Sequence, residues 1–127
     1  MTELLAQALK ARENAYCKYS GFAVGAALLC TDGTVYTGCN VENGSYPLGL
    51  CAERTAICKA IADGKKKGDF KAIAIAGGKQ GQAPTEVCYP CGACRQVMAE
   101  FCGEEFEVEL TDRTYRFGEL LPYRFAL

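Results

Sequence analysis

The chain has 127 residues, 50% of them hydrophobic, which fits one globular domain over residues 1–127. Its formal net charge is −1 and the charged residues are scattered, so we expect no nucleic acid as partner. It has neither an apolar segment of the roughly 20 residues that cross a bilayer nor an N-terminal secretory signal, so we expect a cytoplasmic protein with no membrane partner.

The first part of the chain predicts one helix followed by two strands. Apolar residues with helical period follow Thr2, its N-cap, and predict a helix that ends near residues 19–21. Residues 22–30 are a continuous apolar run, and a turn signal at 31–34 joins it to a second strand over 35–41. Both runs are too apolar to face water on one side, so we expect a buried sheet.

Helices and strands alternate in the rest of the chain. The pattern predicts a helix over 51–63, a strand over 71–76 closed by two glycines, a loop over 79–86 and a helix over 91–101. A strand is expected over 105–110, and the tail from residue 114 predicts a short strand and a helical turn at 119–121. Strands separated by helices imply crossover connections and a mixed sheet with helices packed on it.

Three of the nine cysteines stand at the starts of two predicted helices. Nine is an odd number, which argues for reduced thiols in the cytosol rather than a disulfide framework. Cys51 begins one helix, and Cys91 and Cys94 begin another, while the chain contains no histidine. Zinc takes four ligands, and a catalytic site supplies three and leaves the fourth position to water. We therefore predict one zinc ion held by these three thiolates.

Two charged residues beside Cys51 complete this prediction. Glu53 points away from the ligand that precedes it on a helix, so it is predicted to be the general acid/base that moves protons between water and substrate. By itself, a glutamate in a first helical turn is also favoured by the helix dipole. Arg54 is predicted to hydrogen-bond the sulfurs and offset their excess negative charge, a surface salt bridge being its alternative.

The Cys91-x-x-Cys94 spacing leaves other interpretations open when it is taken alone. It also suits a redox dithiol, or half of a structural four-cysteine zinc site in which Cys88 is the fourth ligand. A redox dithiol requires neither a third cysteine nor Glu53. The other cysteines lie in apolar segments and are predicted to be small core residues: Cys17, Cys30, Cys39, Cys58 and Cys102.

Further motifs surround the cysteines and run over nearly the whole chain: Tyr19-Ser20-x-Phe22-x-Val24-Gly25-Ala26-Ala27-Leu28, Gly38-Cys39-Asn40-Val41-Glu42-Asn43, Cys51-Ala52-Glu53-Arg54-Thr55-Ala56, Pro90-Cys91-Gly92-Ala93-Cys94-Arg95-Gln96 and Leu120-Leu121-Pro122. Cys-Ala-Glu followed by Pro-Cys-x-x-Cys resembles the signature of the zinc nucleobase deaminases. Cysteine in the first position, with the flanking motifs, resembles the short, homotetrameric cytidine deaminases. The chain departs from that pattern at Tyr89, where the family commonly has serine, and at the extra thiol of Cys88.

The resemblance implies a fold and an activity. The fold is a three-layer α/β/α arrangement with a mixed five-stranded sheet and helices on both faces, assembled as a homotetramer. The activity is zinc-dependent hydrolytic deamination of cytidine and 2′-deoxycytidine to uridine and 2′-deoxyuridine, with one zinc ion per chain, in pyrimidine salvage. A deaminase of a nucleoside-like antibiotic such as blasticidin S shares the zinc motifs, but the intact Asn40-x-Glu42 pair argues against it.

The resemblance also implies a substrate site. Phe22 would pack against the base, Asn40 and Glu42 would hydrogen-bond the ribose hydroxyls, and the N–H group of Ala52 would contact the pyrimidine O2. Residues two apart on a strand share a face, so Asn40 and Glu42 can act together, and a carboxylate there would repel a nucleotide's phosphate. The positions that would complete the pockets of neighbouring subunits are Tyr46 and Phe125.

Overall fold

A five-stranded mixed sheet forms the middle of the protein, and the computed structural model describes all of residues 1–127. The strands are β1 (Phe22–Cys30), β2 (Val35–Cys39), β3 (Phe70–Lys79), β4 (Glu107–Glu109) and β5 (Thr114–Arg116). The helices are α1 (Glu3–Ala11), α2 (Ala52–Ala62), α3 (Gly92–Phe101) and α4 (Phe117–Leu120), with 3-10 turns at Arg12–Asn14 and Tyr46–Leu48. The strand order is β2-β1-β3-β4-β5; β3 and β4 are parallel and all other neighbours are antiparallel.

Helices cover both faces of this sheet, which confirms the predicted three layers. On one face, α1 packs against small residues of β1 and β3 in a cluster of Leu5, Ala8, Ala27, Ala74 and Ala76. On the other face, α2 and α3 pack over a larger core that includes Leu28, Ile57, Ile73, Met98 and Phe117. Alternate side chains of a strand point to opposite faces, so β1 and residues 72–78 of β3 contain only apolar residues and glycine because both faces of the sheet are covered there.

The first helix is shorter than the sequence predicts. It ends at Ala11, a 3-10 turn follows, and residues 15–21 are not helical, although the prediction ran to 19–21. The backbone of Tyr16 is bonded elsewhere: its N–H group donates to the carbonyl oxygen of Asn40 at 2.9 Å, and its own carbonyl accepts from Glu42 at 2.8 Å. Pairing with the segment after β2 therefore prevails over the local helical period.

Three strands also differ from their predicted bounds. β3 continues through Gly77 and Gly78 to residue 79, because these residues pair with the start of β1. β2 ends at residue 39 rather than 41, and it is half-buried because it lies at the edge of the sheet, so the predicted full burial holds only for β1. β4 is confined to three residues of the predicted 105–110.

Predictions from short sequence patterns are confirmed at two positions, a helix cap and a turn, and wrong at one predicted core residue. Thr2 caps α1 by accepting a hydrogen bond from the N–H group of Leu5 at 3.1 Å. Asp32 closes the turn between β1 and β2 by accepting from the N–H group of Thr34 at 2.9 Å. Cys58, predicted as a core residue, is exposed, because the helical period of α2 turns Ile57 inward and the next side chain outward. None of the helices has the length and apolar character that crossing a bilayer requires.

A close approach between β2 and α2 sets the position of Cys51 and of the first turn of α2, which follows it. A Cβ atom at Gly38 would lie 2.5 Å from the carbonyl oxygen of Ala52 and 2.6 Å from the nitrogen of Ala56. Beside it, the hydroxyl of Thr55 donates to the carbonyl oxygen of Cys39 at 3.0 Å. The absence of a side chain at Gly38 therefore brings the first turn of α2 directly against the end of β2.

Candidate active site

Two helix starts bring three thiols together. Cys51 is the N-cap of α2, Cys91 is the N-cap of α3, and Cys94 lies in the first turn of α3. Their sulfur atoms all lie within 4.8 Å of one another, and those of Cys51 and Cys91 are 3.8 Å apart. Two sulfurs on a tetrahedral zinc ion, each at about 2.3 Å, are separated by about 3.8 Å. The donor set therefore fits one zinc ion, and the positive ends of two helix dipoles favour its thiolates.

Arg54 supplies positive charge to this cluster. Its Nη2 donates to the sulfur of Cys51 at 3.4 Å, and its Nε is buried without a hydrogen-bond partner. Hydrogen bonds from Cys94 and then from Arg54 lower the pKa of the Cys51 thiol to about 5, against the effect of burial. The sequence left a surface salt bridge open for this residue, whereas its guanidinium contacts the thiols.

Glu53 places a buried carboxyl group beside the same cluster. Its side chain is only 4% exposed, in the first turn of α2. Burial, followed by the negative charge of Cys51, raises the pKa of the Glu53 carboxyl to about 7. A carboxyl group whose pKa lies near neutral pH can both accept and donate a proton, which is the property of a general acid/base.

A cavity of about 490 Å³ opens beside the thiols. Its wall includes four residues of the thiol cluster and its neighbours: Cys51, Glu53, Arg54 and Cys91. The wall also includes the predicted substrate-binding residues Phe22, Asn40, Glu42, Tyr46 and Ala52. β2 ends before Asn40, but Val41 pairs with Tyr16 and with Leu50 in isolated β-bridges, and both Asn40 and Glu42 lie in the cavity wall. Asn40 and Glu42 therefore share a face, as their spacing predicts.

Phe125 is the predicted substrate-binding residue that the structure does not bring to this cavity. It lies near the C-terminus, 65% exposed, where its carbonyl oxygen accepts from Gln96 at 3.4 Å. Tyr46 does line the cavity of its own chain and is 77% exposed. A role of either residue in a neighbouring subunit stays a prediction.

The family model described as "Cytidine and deoxycytidylate deaminase zinc-binding region" matches residues 1–109. The chain belongs to this family. Its enzymes are hydrolytic and zinc-dependent deaminases, so the resemblance inferred from the motifs is confirmed, and the cluster of three thiols can hold one zinc ion.

The chain is similar over nearly its full length to several proteins named cytidine deaminase. The cytidine deaminase of Sporosarcina psychrophila is 52% identical over 129 residues, which cover 98% of this chain and 90% of that protein. The crystal structure of cytidine deaminase from Burkholderia pseudomallei is 46% identical with a TM-score of 0.87, covering 98% of this chain and 100% of that one. Cytidine deaminase from Mycobacterium tuberculosis is 44% identical with a TM-score of 0.85, covering 98% and 95%. These likenesses confirm the predicted fold.

Cys88 lies outside the group of thiols, although the sequence left it open as a fourth zinc ligand. It lines the cavity, and burial raises the pKa of its thiol to about 11. A Cβ atom at Gly77 would lie 2.7 Å from its sulfur, so Cys88 packs against β3. The cluster therefore contains three cysteines and lacks the fourth ligand that a closed four-cysteine zinc site requires.

Two residues that line the cavity received no role from the sequence. Ser20 stands within the Tyr19-Ser20-x-Phe22 motif, but nothing in that spacing indicates a partner for its hydroxyl. Tyr89 was noted only as a departure from the family pattern, and its hydroxyl lies 3.3 Å from that of Tyr115. Their contacts join segments distant in the chain, which a local pattern does not record.

Proposed function

We propose that this protein catalyses the hydrolytic deamination of cytidine and 2′-deoxycytidine. Water and the nucleoside react to give uridine or 2′-deoxyuridine and ammonia, a step of pyrimidine salvage. The observation that carries the proposal is a cluster of three thiols, two of which line one cavity together with the buried Glu53, Asn40 and Glu42. The family membership and the cytidine deaminases of similar length support the same substrate class.

In this proposal the metal is held by Cys51, Cys91 and Cys94. Zinc with three protein ligands lowers the pKa of water, and that is the chemistry it supplies to a hydrolytic reaction. Arg54, which donates to the sulfur of Cys51, offsets the excess negative charge of three thiolates.

Glu53 moves the protons of the reaction. Its carboxylate accepts a proton from water and delivers it to N3 of the cytosine ring, which prepares C4 for addition of the water oxygen. Glu53 then accepts the remaining proton of the oxygen added at C4 and gives it to the 4-amino group, which leaves as ammonia as the C4–N bond breaks and the C4 carbonyl of uridine forms. Its burial and its raised pKa suit both roles, because a group with a pKa near the working pH exchanges protons in both directions.

The remaining cavity residues orient the nucleoside. Phe22 packs against the base, and the N–H group of Ala52 donates to the pyrimidine O2. Asn40 and Glu42 hydrogen-bond the ribose. The amide of Asn40 is held in place, since its Oδ1 accepts from the N–H group of Val24 at 2.9 Å and its Nδ2 donates to the carbonyl of Phe22 at 2.8 Å. The carboxylate of Glu42 disfavours a phosphorylated ribose.

The assembly and the location are part of the same proposal. The protein is one catalytic domain that forms a homotetramer in which Tyr46 and Phe125 complete the pockets of neighbouring subunits. Support comes from the exposure of these apolar side chains and of Leu48, at 77%, 65% and 68% respectively. Nine free cysteines suit the reducing cytoplasm.

The deciding experiment measures the loss of ultraviolet absorbance of cytidine, and separately of 2′-deoxycytidine, with purified, zinc-loaded protein, together with the zinc content per chain. We expect turnover to uridine with about one zinc per chain. The matched control is Glu53→Gln, which keeps the side-chain shape and the zinc and should lower kcat by about 10²- to 10⁴-fold. Stoichiometric zinc without turnover of either nucleoside would refute the proposed substrates, and an active Glu53→Gln variant would refute the role of Glu53.

A further inference from the structure

The carboxylate of Glu42 is held by the short turn that precedes β1. Its Oε1 accepts from the N–H groups of Tyr19 at 3.0 Å and Ser20 at 3.1 Å. Its Oε2 accepts from the hydroxyl of Ser20. A carboxylate has about four acceptor positions on its two oxygens, so these three bonds leave about one position for a ligand.

The hydroxyl of Ser20 has a second partner. Its oxygen accepts from the N–H group of Phe22 at 3.0 Å while its hydrogen is donated to Glu42. The carbonyl oxygen of Phe22 in turn accepts from the amide of Asn40 at 2.8 Å. One hydroxyl thus connects the carboxylate to the strand start that carries Phe22 and fixes Asn40.

The turn does not depend on this hydroxyl for its closure. The N–H group of Gly21 donates to the carbonyl oxygen of Cys17 at 2.7 Å, and that of Gln80 donates to the carbonyl oxygen of Gly21 at 2.8 Å. These backbone bonds remain when the Ser20 side chain is removed. The bonds that would be lost are those of the Ser20 oxygen to Glu42 and to the N–H group of Phe22.

We propose that Ser20 is a positioning residue that holds the Glu42 carboxylate in the orientation that binds a substrate hydroxyl. The inference rests on the proposed function, since it concerns the nucleoside's sugar. Hydrogen bonds from an uncharged hydroxyl and two N–H groups stabilise the ionised carboxylate, and Ser20's hydroxyl is the first cause of the lowered pKa of Glu42. Glu42 therefore stays an acceptor, and the one position left on it suits the hydroxyl of a sugar.

The test compares initial rates of cytidine deamination by zinc-loaded variants. Ser20→Ala should lower kcat/KM by about 10- to 100-fold, because a misplaced binding group costs that much. Ser20→Thr keeps the hydroxyl and should restore kcat/KM to within about threefold of the parent. Ser45→Ala is the matched control, since Ser45 is exposed and its side chain makes no capping hydrogen bond.

A double-mutant cycle separates positioning of Glu42 from a merely structural effect. In a Glu42→Ala background, Ser20→Ala should change kcat/KM by less than about twofold, because the side chain that accepts the Ser20 hydroxyl is absent. A full Ser20→Ala loss in that background would overturn the proposal, as would a Ser20→Ala variant within about twofold of the parent. If the parent itself does not deaminate cytidine, the proposed function fails and this inference fails with it.

Should Ser20→Ala not fold, a measurement on the unaltered protein tests the premise that these donors hold the Glu42 carboxylate. The Glu42 carboxyl carbon, assigned by its loss in Glu42→Gln, is titrated by ¹³C NMR. We expect a pKa below the ordinary glutamate value of about 4.3. A value at or above it would mean that the carboxylate is not held by these donors, and would overturn the proposal.

Discussion

Replacing Gly38 with alanine should disturb the protein where β2 meets α2. The new Cβ atom would lie 2.5 Å from the carbonyl oxygen of Ala52 and 2.6 Å from the nitrogen of Ala56. Both are backbone atoms of a helix, so no flexible side chain can move aside. Overpacking of this kind costs about 1–3 kcal/mol of unfolding free energy, and relief by a shift of α2 would displace the segment that begins with Cys51.

Urea unfolding of the zinc-loaded protein at fixed protein concentration measures this cost. We expect Gly38→Ala to lose about 1–3 kcal/mol and, by calorimetry, about 4–12 °C in midpoint temperature. Gly103→Ala is the matched control, because a Cβ atom there meets nothing within 4 Å. That variant should be unchanged or up to about 1 kcal/mol more stable, since alanine restricts the unfolded chain. An unchanged midpoint for Gly38→Ala, or an equal loss for Gly103→Ala, would refute the close-approach argument.

Two further predictions concern the metal cluster. Arg54→Gln should weaken zinc binding by about 10- to 100-fold, because it removes the positive donor to the sulfur of Cys51, and competition with a chelator measures this affinity. An unaltered zinc affinity would contradict this role and favour the surface salt bridge that the sequence left open for Arg54. Cys88→Ala should keep about one zinc per chain by elemental analysis, because the thiol lies outside the three-sulfur group. Loss of the metal from that variant would restore the structural four-cysteine interpretation.

Much of the candidate site could be predicted from short segments. Cys51 and Cys91 stand where helical patterns begin, and both prove to be N-caps. The spacing of Asn40 and Glu42 predicted a shared face because side chains of an extended segment alternate. Predictions of this kind succeed because helix caps and strand alternation are properties of a few consecutive residues.

Predictions that relied on local pattern alone failed where distant segments compete for the same backbone groups. The helical period after Thr2 continues toward residue 19, yet Tyr16 bonds the segment after β2 and α1 ends at Ala11. Gly77 and Gly78 have the composition of a strand end, but pairing with β1 extends β3 through them. Cys58 was predicted wrongly for a different reason, because the helical period of α2 itself places it on the outer side of the helix.

The sequence by itself determined the chemical groups of the site: three thiols at two helix starts, one glutamate beside the first of them, and a polar pair two residues apart in an extended segment. Only the tertiary structure decided that two helix starts meet with the Cys51 and Cys91 sulfurs 3.8 Å apart. It also decided that Phe125 lies away from the cavity and that the hydroxyl of Ser20 holds Glu42. Residue spacing records which side chains share a face, whereas contacts between distant segments depend on how the helices and strands pack.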